Sequence, residues 1–176
     1  MQPFCLNHNP FQMASNLKNL SDFSHIQVQD AKGLKFAIIV SQWNAQVTGA
    51  LLNGALEGLE KHNALDSDIK VIEVPGSYEL ISGADIVLRN KDIDAVICLG
   101  CVIQGETRHF DFICDAVANG ISNVAIKYNK PVIFGVLTTD NLQQALDRAG
   151  GKHGNKGEEA AITAIQMAHI SRNELV

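Results

Sequence analysis

Phe36-Ala-Ile-Ile-Val40 is an unbroken apolar run of strand length. Without polar alternation, such a run suits a strand buried on both faces, as in parallel sheets covered by helices on both sides. Similar runs return at Ile69-Lys-Val-Ile-Glu-Val74, at Ala95-Val-Ile-Cys-Leu99 (extending to Ile103) and at Pro131-Val-Ile-Phe-Gly-Val-Leu137. Helical spacing separates them. Val47, Leu51, Ala55 and Leu59 recur every fourth residue, with Leu52 and Leu56 widening the stripe, and predict a helix over 44–62. Further helices are expected over 79–89, 110–128, 141–149 and 158–172, with Gly150-Gly151 closing the fourth. Strand and helix therefore alternate four times, which implies right-handed βαβ units, a parallel sheet and an α/β fold.

Residues 1–33 show no sustained period and are rich in Asn, Gln, Ser and His, so they read as a mostly irregular arm. Met13 is an alternative start. Residues 34–176 read as one domain, a size that a single core can support. The net charge is -5, with 19% charged residues. That balance argues against nucleic acid or an acidic membrane as partner, since both select basic patches. No apolar run reaches the roughly 18–20 residues of a membrane span. No basic segment followed by an apolar one opens the chain, so a cytoplasmic protein is expected. Of the four cysteines, Cys98, Cys101 and Cys114 lie in apolar segments, as reduced buried thiols do, while Cys5 lies in the arm. Cys98 and Cys101 are three apart on an expected strand, so their side chains face opposite ways and form neither a redox pair nor a metal pair.

In open α/β sheets ligands bind beyond the carboxyl ends of the strands. Three distinctive segments fall there: Ser41-Gln-Trp-Asn44, Val74-Pro-Gly-Ser-Tyr-Glu79 and Gly105-Glu-Thr-Arg-His-Phe-Asp111. Trp43, the only tryptophan, either stacks on a heterocycle or caps the core. Pro75-Gly76 permits a sharp turn and a close backbone approach to a ligand. Glu79 either accepts bonds from sugar hydroxyls or sits as a first-turn carboxylate favoured by the helix dipole. Gly105-Glu106-Thr107 precedes a helix, where free N–H groups can hold a phosphate. His109 is either a proton-exchanging group or a surface cap. The stretch from Arg148 to Lys156 sets cations among glycines, as a phosphate site or a helix C-terminus would. It is not a Walker A loop, because Asn155 stands between Gly154 and Lys156.

Four segments together resemble the lumazine synthase family: Val74-Pro-Gly-Ser-Tyr-Glu79, Gly100-Cys-Val-Ile-Gln-Gly-Glu-Thr-Arg-His-Phe-Asp111, Pro131-Val-Ile-Phe-Gly-Val-Leu-Thr-Thr139 and Arg148-Ala-Gly-Gly-Lys-His-Gly-Asn-Lys-Gly157. The resemblance spans roughly 34–170. It implies a flavodoxin-like three-layer αβα sandwich with a four-stranded parallel sheet. It implies pentamers or multiples of them, active sites between neighbouring subunits, and an association with riboflavin synthase. The implied activity is a transferase of the riboflavin pathway. It joins 5-amino-6-(ribitylamino)uracil to 3,4-dihydroxy-2-butanone 4-phosphate, yielding 6,7-dimethyl-8-ribityllumazine, phosphate and water, with no metal or organic cofactor.

By the same resemblance, Trp43 matches the aromatic that stacks on the pyrimidine. Asn44, Ser77 and Glu79 match groups on its ribityl chain and polar edge, and Tyr78 shares their motif. Val102 and Ile103 match the lining of the ring pocket, and Gly105, Glu106 and Thr107 the phosphate loop. His109 matches the proton-transfer residue. Phe134, Arg148 and Lys156 match residues supplied by the adjacent subunit, with Arg148 on the phosphate. Gln104 and His153 depart from the family's usual residues and are assigned no role. Two other classes compete: a flavodoxin-like flavin carrier and a non-catalytic shell protein. A carrier's phosphate loop after the first strand would be rich in Ser, Thr and Gly, where this chain has Gln-Trp-Asn. A shell protein would have no use for both His109 and Arg148.

Overall fold

A computed structural model describes residues 27–90 and 92–173. Most of the expected arm, and Cys5 with it, lies outside these residues. Residues 27–35 form neither helix nor strand, yet Val28, Ala31 and Leu34 pack on the core. The elements then alternate as expected. Strand β1 (Phe36–Ser41) leads to helix α1 (Ala45–Lys61), β2 (Ile69–Val74) to α2 (Leu80–Leu88), and β3 (Ala95–Ile103) to α3 (His109–Tyr128). Strand β4 (Val132–Thr139) leads to a short α4 (Leu142–Leu146). The strands β5 (Ala149–Gly151) and β6 (Gly154–Asn155) and the helix α5 (Lys156–Asn173) follow.

The main sheet has the order β2-β1-β3-β4, and its pairings are all parallel. Side chains alternate across it, and each face has its own core. Phe36, Ile38 and Val40 pack with α1 and α5, around Leu51, Leu59 and Ile165. Ala37 and Ile39 pack with α2 and α3, around Leu80, Val117 and Ile121. Helices on both faces make the expected three layers. Burying a Leu or Ile side chain contributes roughly 1.5–3 kcal/mol, so these two clusters supply most of the drive to fold.

Cys98 lies in the α2/α3 cluster and Cys101 in the α1/α5 cluster, on opposite faces as their spacing requires. Burial pushes the Cys98 thiol up to about 12 and the Cys101 thiol up to about 11, so both stay protonated.

The segment after β4 corrects one expectation. Its helix covers only Leu142–Leu146 rather than 141–149. Asn141 caps the start, its side chain accepting the Gln144 N–H at 3.0 Å. At the other end the Asp147 carbonyl accepts the His153 N–H at 2.8 Å and the Arg148 carbonyl accepts the Lys156 N–H at 2.8 Å. Those bonds fold 149–155 into a hairpin, with Gly150 and Gly154 at positive φ. The Asp147 carboxylate also holds Gln143 and Lys152, bonds that lower its pKa, the Gln143 bond first. The last helix consequently starts at Lys156, two residues earlier than expected.

Candidate active site

The order β2-β1-β3-β4 places β1 and β3 side by side while their following helices lie on opposite faces. A crevice opens at the carboxyl end of such a pair. The turn after β1 runs beside the turn after β2. Gln42 N–H donates to the Val74 carbonyl at 2.8 Å, and Trp43 N–H to the Pro75 carbonyl at 3.1 Å. Asn44 then takes the left-handed conformation, φ 59°, so that α1 can start at Ala45. Its side-chain amide donates to the Cys101 carbonyl at 2.9 Å, tying this turn to the end of β3.

The Trp43 indole is 68% exposed yet laid against backbone. A Cβ added at Gly76 would stand 2.8 Å from the ring carbons Cε3 and Cζ3, so only glycine fits beneath it. The Gly76 N–H donates to Glu79 Oε2 at 3.0 Å, folding that carboxylate back over the turn at the N-cap of α2. Ser77 is buried, its hydroxyl 3.5 Å from the same Cys101 carbonyl. Gly100 makes room for it, since a Cβ there would approach Ser77 Oγ to 2.7 Å. Tyr78 points outward and is exposed.

Val102 and Ile103, half-buried, end β3 beside Thr138 and Thr139 of β4. The loop that follows starts with a bond from Gln104 N–H to the Thr139 carbonyl at 2.8 Å. Gly105, Glu106 and Thr107 are exposed, and open space surrounds the Cα of Gly105. Thr107 Oγ1 accepts the His109 N–H at 3.4 Å, leaving His109 exposed as the first residue of α3. The Gln104 side chain turns back on its own loop, its amide donating to the Gly105 carbonyl at 3.0 Å.

Phe134 and Lys156 form a second group, and Arg148 stands apart from both side chains' cleft. Phe134 pairs with Cys98. That is five residues before Ile103, or roughly 16 Å back along the strand. Phe134, Lys156 and Glu159 line one cleft of about 330 Å³, in which Lys156 and Glu159 are ion-paired. Arg148 is half-buried, donating from Nη1 to the Gln144 carbonyl at 3.0 Å.

One chain thus brings Trp43, Asn44, Ser77 and Glu79 together at the carboxyl ends of β1 to β3, with Val102 and Ile103 ending β3 on opposite faces of the sheet and Gly105–His109 following at the same end. It keeps Phe134 well away from that crevice. Two participants were not read from sequence. The Cys101 carbonyl receives both Asn44 and Ser77, and a backbone acceptor leaves no mark in a side-chain pattern. Asn155 ties the hairpin to α1, its side-chain amide donating to the Ala50 carbonyl at 2.9 Å. Its signal was an Asn ahead of Lys-Gly-Glu-Glu, an N-cap pattern hidden inside a run read for its cations.

A doubly covered parallel sheet with an exposed aromatic, a carboxylate and a loop entering a helix at its switch point defines the class: an α/β protein of the kind that takes ligands at the carboxyl ends of its strands. Residues 33–172 match the 6,7-dimethyl-8-ribityllumazine synthase family. Proteins of that name are similar along most of their length. The one from Cytophaga hutchinsonii is 57% identical over 88% of this chain and 97% of its own. Those from Flavobacterium johnsoniae and Parabacteroides distasonis are 51% and 48% identical, each over 90% of this chain and over 83% and 99% of their own. The chain belongs to the 6,7-dimethyl-8-ribityllumazine synthase family.

Proposed function

We propose that this crevice is where the chain, a transferase, condenses 5-amino-6-(ribitylamino)uracil with 3,4-dihydroxy-2-butanone 4-phosphate to 6,7-dimethyl-8-ribityllumazine, the penultimate step of riboflavin biosynthesis. The exposed Trp43 indole, seated on Gly76 with the Glu79 carboxylate beside it, carries this reading. A solvated indole fixed by backbone is a ready stacking surface for a pyrimidine. Asn44, Ser77 and Glu79 bind the ribityl chain and polar edge beside Tyr78, and Val102 and Ile103 line the ring pocket. Gly105, Glu106 and Thr107 bind the phosphate at the start of α3.

The substrate amine attacks the ketone and, with loss of water, forms an imine. A proton leaves the ketose carbon, phosphate departs, and the second amine closes the ring with loss of another water. His109 exchanges these protons, a contribution of ~10²–10⁴-fold. Holding two substrates in register supplies a further ~7–11 kcal/mol.

Phe134, Arg148 and Lys156 complete the crevice of a neighbouring subunit, with Arg148 on the phosphate. The distance of Phe134 from the crevice within one chain supports a homo-oligomer, a pentamer or multiples of it. Both substrates are small and soluble, and no helix among the described residues is long and apolar enough to cross a membrane. A cytoplasmic enzyme working beside riboflavin synthase fits both facts. The test is incubation with both substrates, following lumazine fluorescence. Mixing His109→Ala with Arg148→Ala subunits should restore turnover, because some crevices then receive both native residues. No recovery on mixing would refute a shared site.

A further inference from the structure

The hairpin over 149–155, flanked by Arg148 and Lys156, has strands of only three and two residues. A ribbon that small cannot hold its own shape in water. Contacts to the rest of the fold must hold its flanking cations in place, and Asn155 makes them. Its side-chain amide donates to the Ala50 carbonyl of α1 at 2.9 Å. Its side-chain oxygen accepts the Gly157 N–H of α5 at 2.8 Å. One carboxamide therefore staples the hairpin to two helices.

The seat for that carboxamide is made by glycines. A Cβ at Gly54 would lie 2.3 Å from Asn155 Nδ2 and 2.6 Å from Oδ1, so the side chain fills the volume any other residue at 54 would occupy. A Cβ at Gly157 would lie 1.9 Å from the Leu51 carbonyl oxygen, so the first turn of α5 rests directly on α1 backbone. The staple sits one step from the cations. Asn155 pairs with Ala149, the residue after Arg148, and the next N–H, from Lys156, donates to the Arg148 carbonyl.

We infer that Asn155, seated against Gly54, is a positioning residue for the phosphorylated substrate. It touches no substrate and acts by holding the Arg148 hairpin at a fixed place on α1. This rests on the reading that Arg148 takes the phosphate. An N-cap with no further role would make a different prediction: lower stability and unchanged substrate affinities.

The experiment compares Asn155→Ala, Gly54→Ala and Arg148→Ala in the full-length oligomer. It measures KM for each substrate, inhibition by inorganic phosphate, and Tm. Gly54→Ala is the informative variant, because Gly→Ala in an ordinary helix stabilises, whereas here the added methyl displaces the carboxamide. Both Asn155→Ala and Gly54→Ala should raise the ketose-phosphate KM and the phosphate inhibition constant together by roughly 10- to 100-fold, as an ångström-scale misplacement does. KM for the pyrimidine should stay at the wild-type value. Adding Asn155→Ala to Arg148→Ala should change nothing further, since both act through one contact. Unchanged KM values with a lower Tm, or equal rises in both KM values, would overturn the positioning role while leaving the site intact. An Arg148→Ala enzyme with a wild-type ketose-phosphate KM would remove the phosphate assignment itself, and the inference with it.

Discussion

Replacing Gly76 with alanine inserts one methyl group under the Trp43 platform. Its carbon would start 2.8 Å from two ring carbons and 3.0 Å from Glu79 Oε2. Comfortable carbon–carbon contact needs about 3.5–4.0 Å. The indole must therefore lift or tilt by roughly 0.7–1.2 Å, because the backbone below is held by the Trp43 N–H to Pro75 bond and cannot retreat freely. A misplacement of that size costs up to ~10²-fold, so kcat/KM for the pyrimidine should fall roughly 10- to 100-fold. That is about 1.4–2.7 kcal/mol of lost transition-state binding. The fold should survive, since Gly76 lies in the turn between β2 and α2, outside every strand and helix. Because the chain has one tryptophan, its tryptophan emission, excited selectively over the two tyrosines, reports on this ring alone. Steady-state kinetics with each substrate varied, beside emission spectra of the free enzyme, make the assay. A Gly76→Ala enzyme with the wild-type spectrum and wild-type kcat/KM would refute the claim that glycine sets the height of the platform.

Replacing His109 with alanine should lower kcat by ~10²–10⁴-fold and leave measurable turnover, since holding the two substrates together accounts for much of the rate; turnover at the uncatalysed level in stopped-flow assays would contradict this. Arg148→Ala should impair use of the ketose phosphate more than use of the pyrimidine, and equal losses in KM would exclude its phosphate role. Asp85 predicts a pH effect. The Lys127 ammonium, then Arg89 and Tyr128, hold its carboxyl at about 2 against an ordinary 3.8. A carboxyl lowered by folding stabilises above its unfolded pKa and loses that stabilisation as pH falls toward the folded one. Asp85→Asn should therefore melt below wild type at neutral pH, with the gap closing between about pH 4 and pH 2. Thermal melts by circular dichroism check this; a gap that persists undiminished at pH 2 would count against it.

Much of the architecture was written locally. The apolar run at Phe36 and the four-residue spacing of Val47, Leu51, Ala55 and Leu59 encode their own periods, because a strand buried on both faces and a one-faced helix impose different repeats. The same logic placed Cys98 and Cys101 on opposite faces and put Trp43, Glu79 and His109 at strand exits. What only tertiary structure decided was which exits meet. Asn44 donates to Cys101 across 57 residues of chain, and Asn155 to Ala50 across 105. Such bonds depend on strand order and helix packing, which no local window contains. The hairpin over 149–155 shows the conflict most clearly. Its residues are compatible with a capped helix end. The carbonyls of Asp147 and Arg148 instead took partners at His153 and Lys156, because packing of α5 against α1 brought those N–H groups within reach.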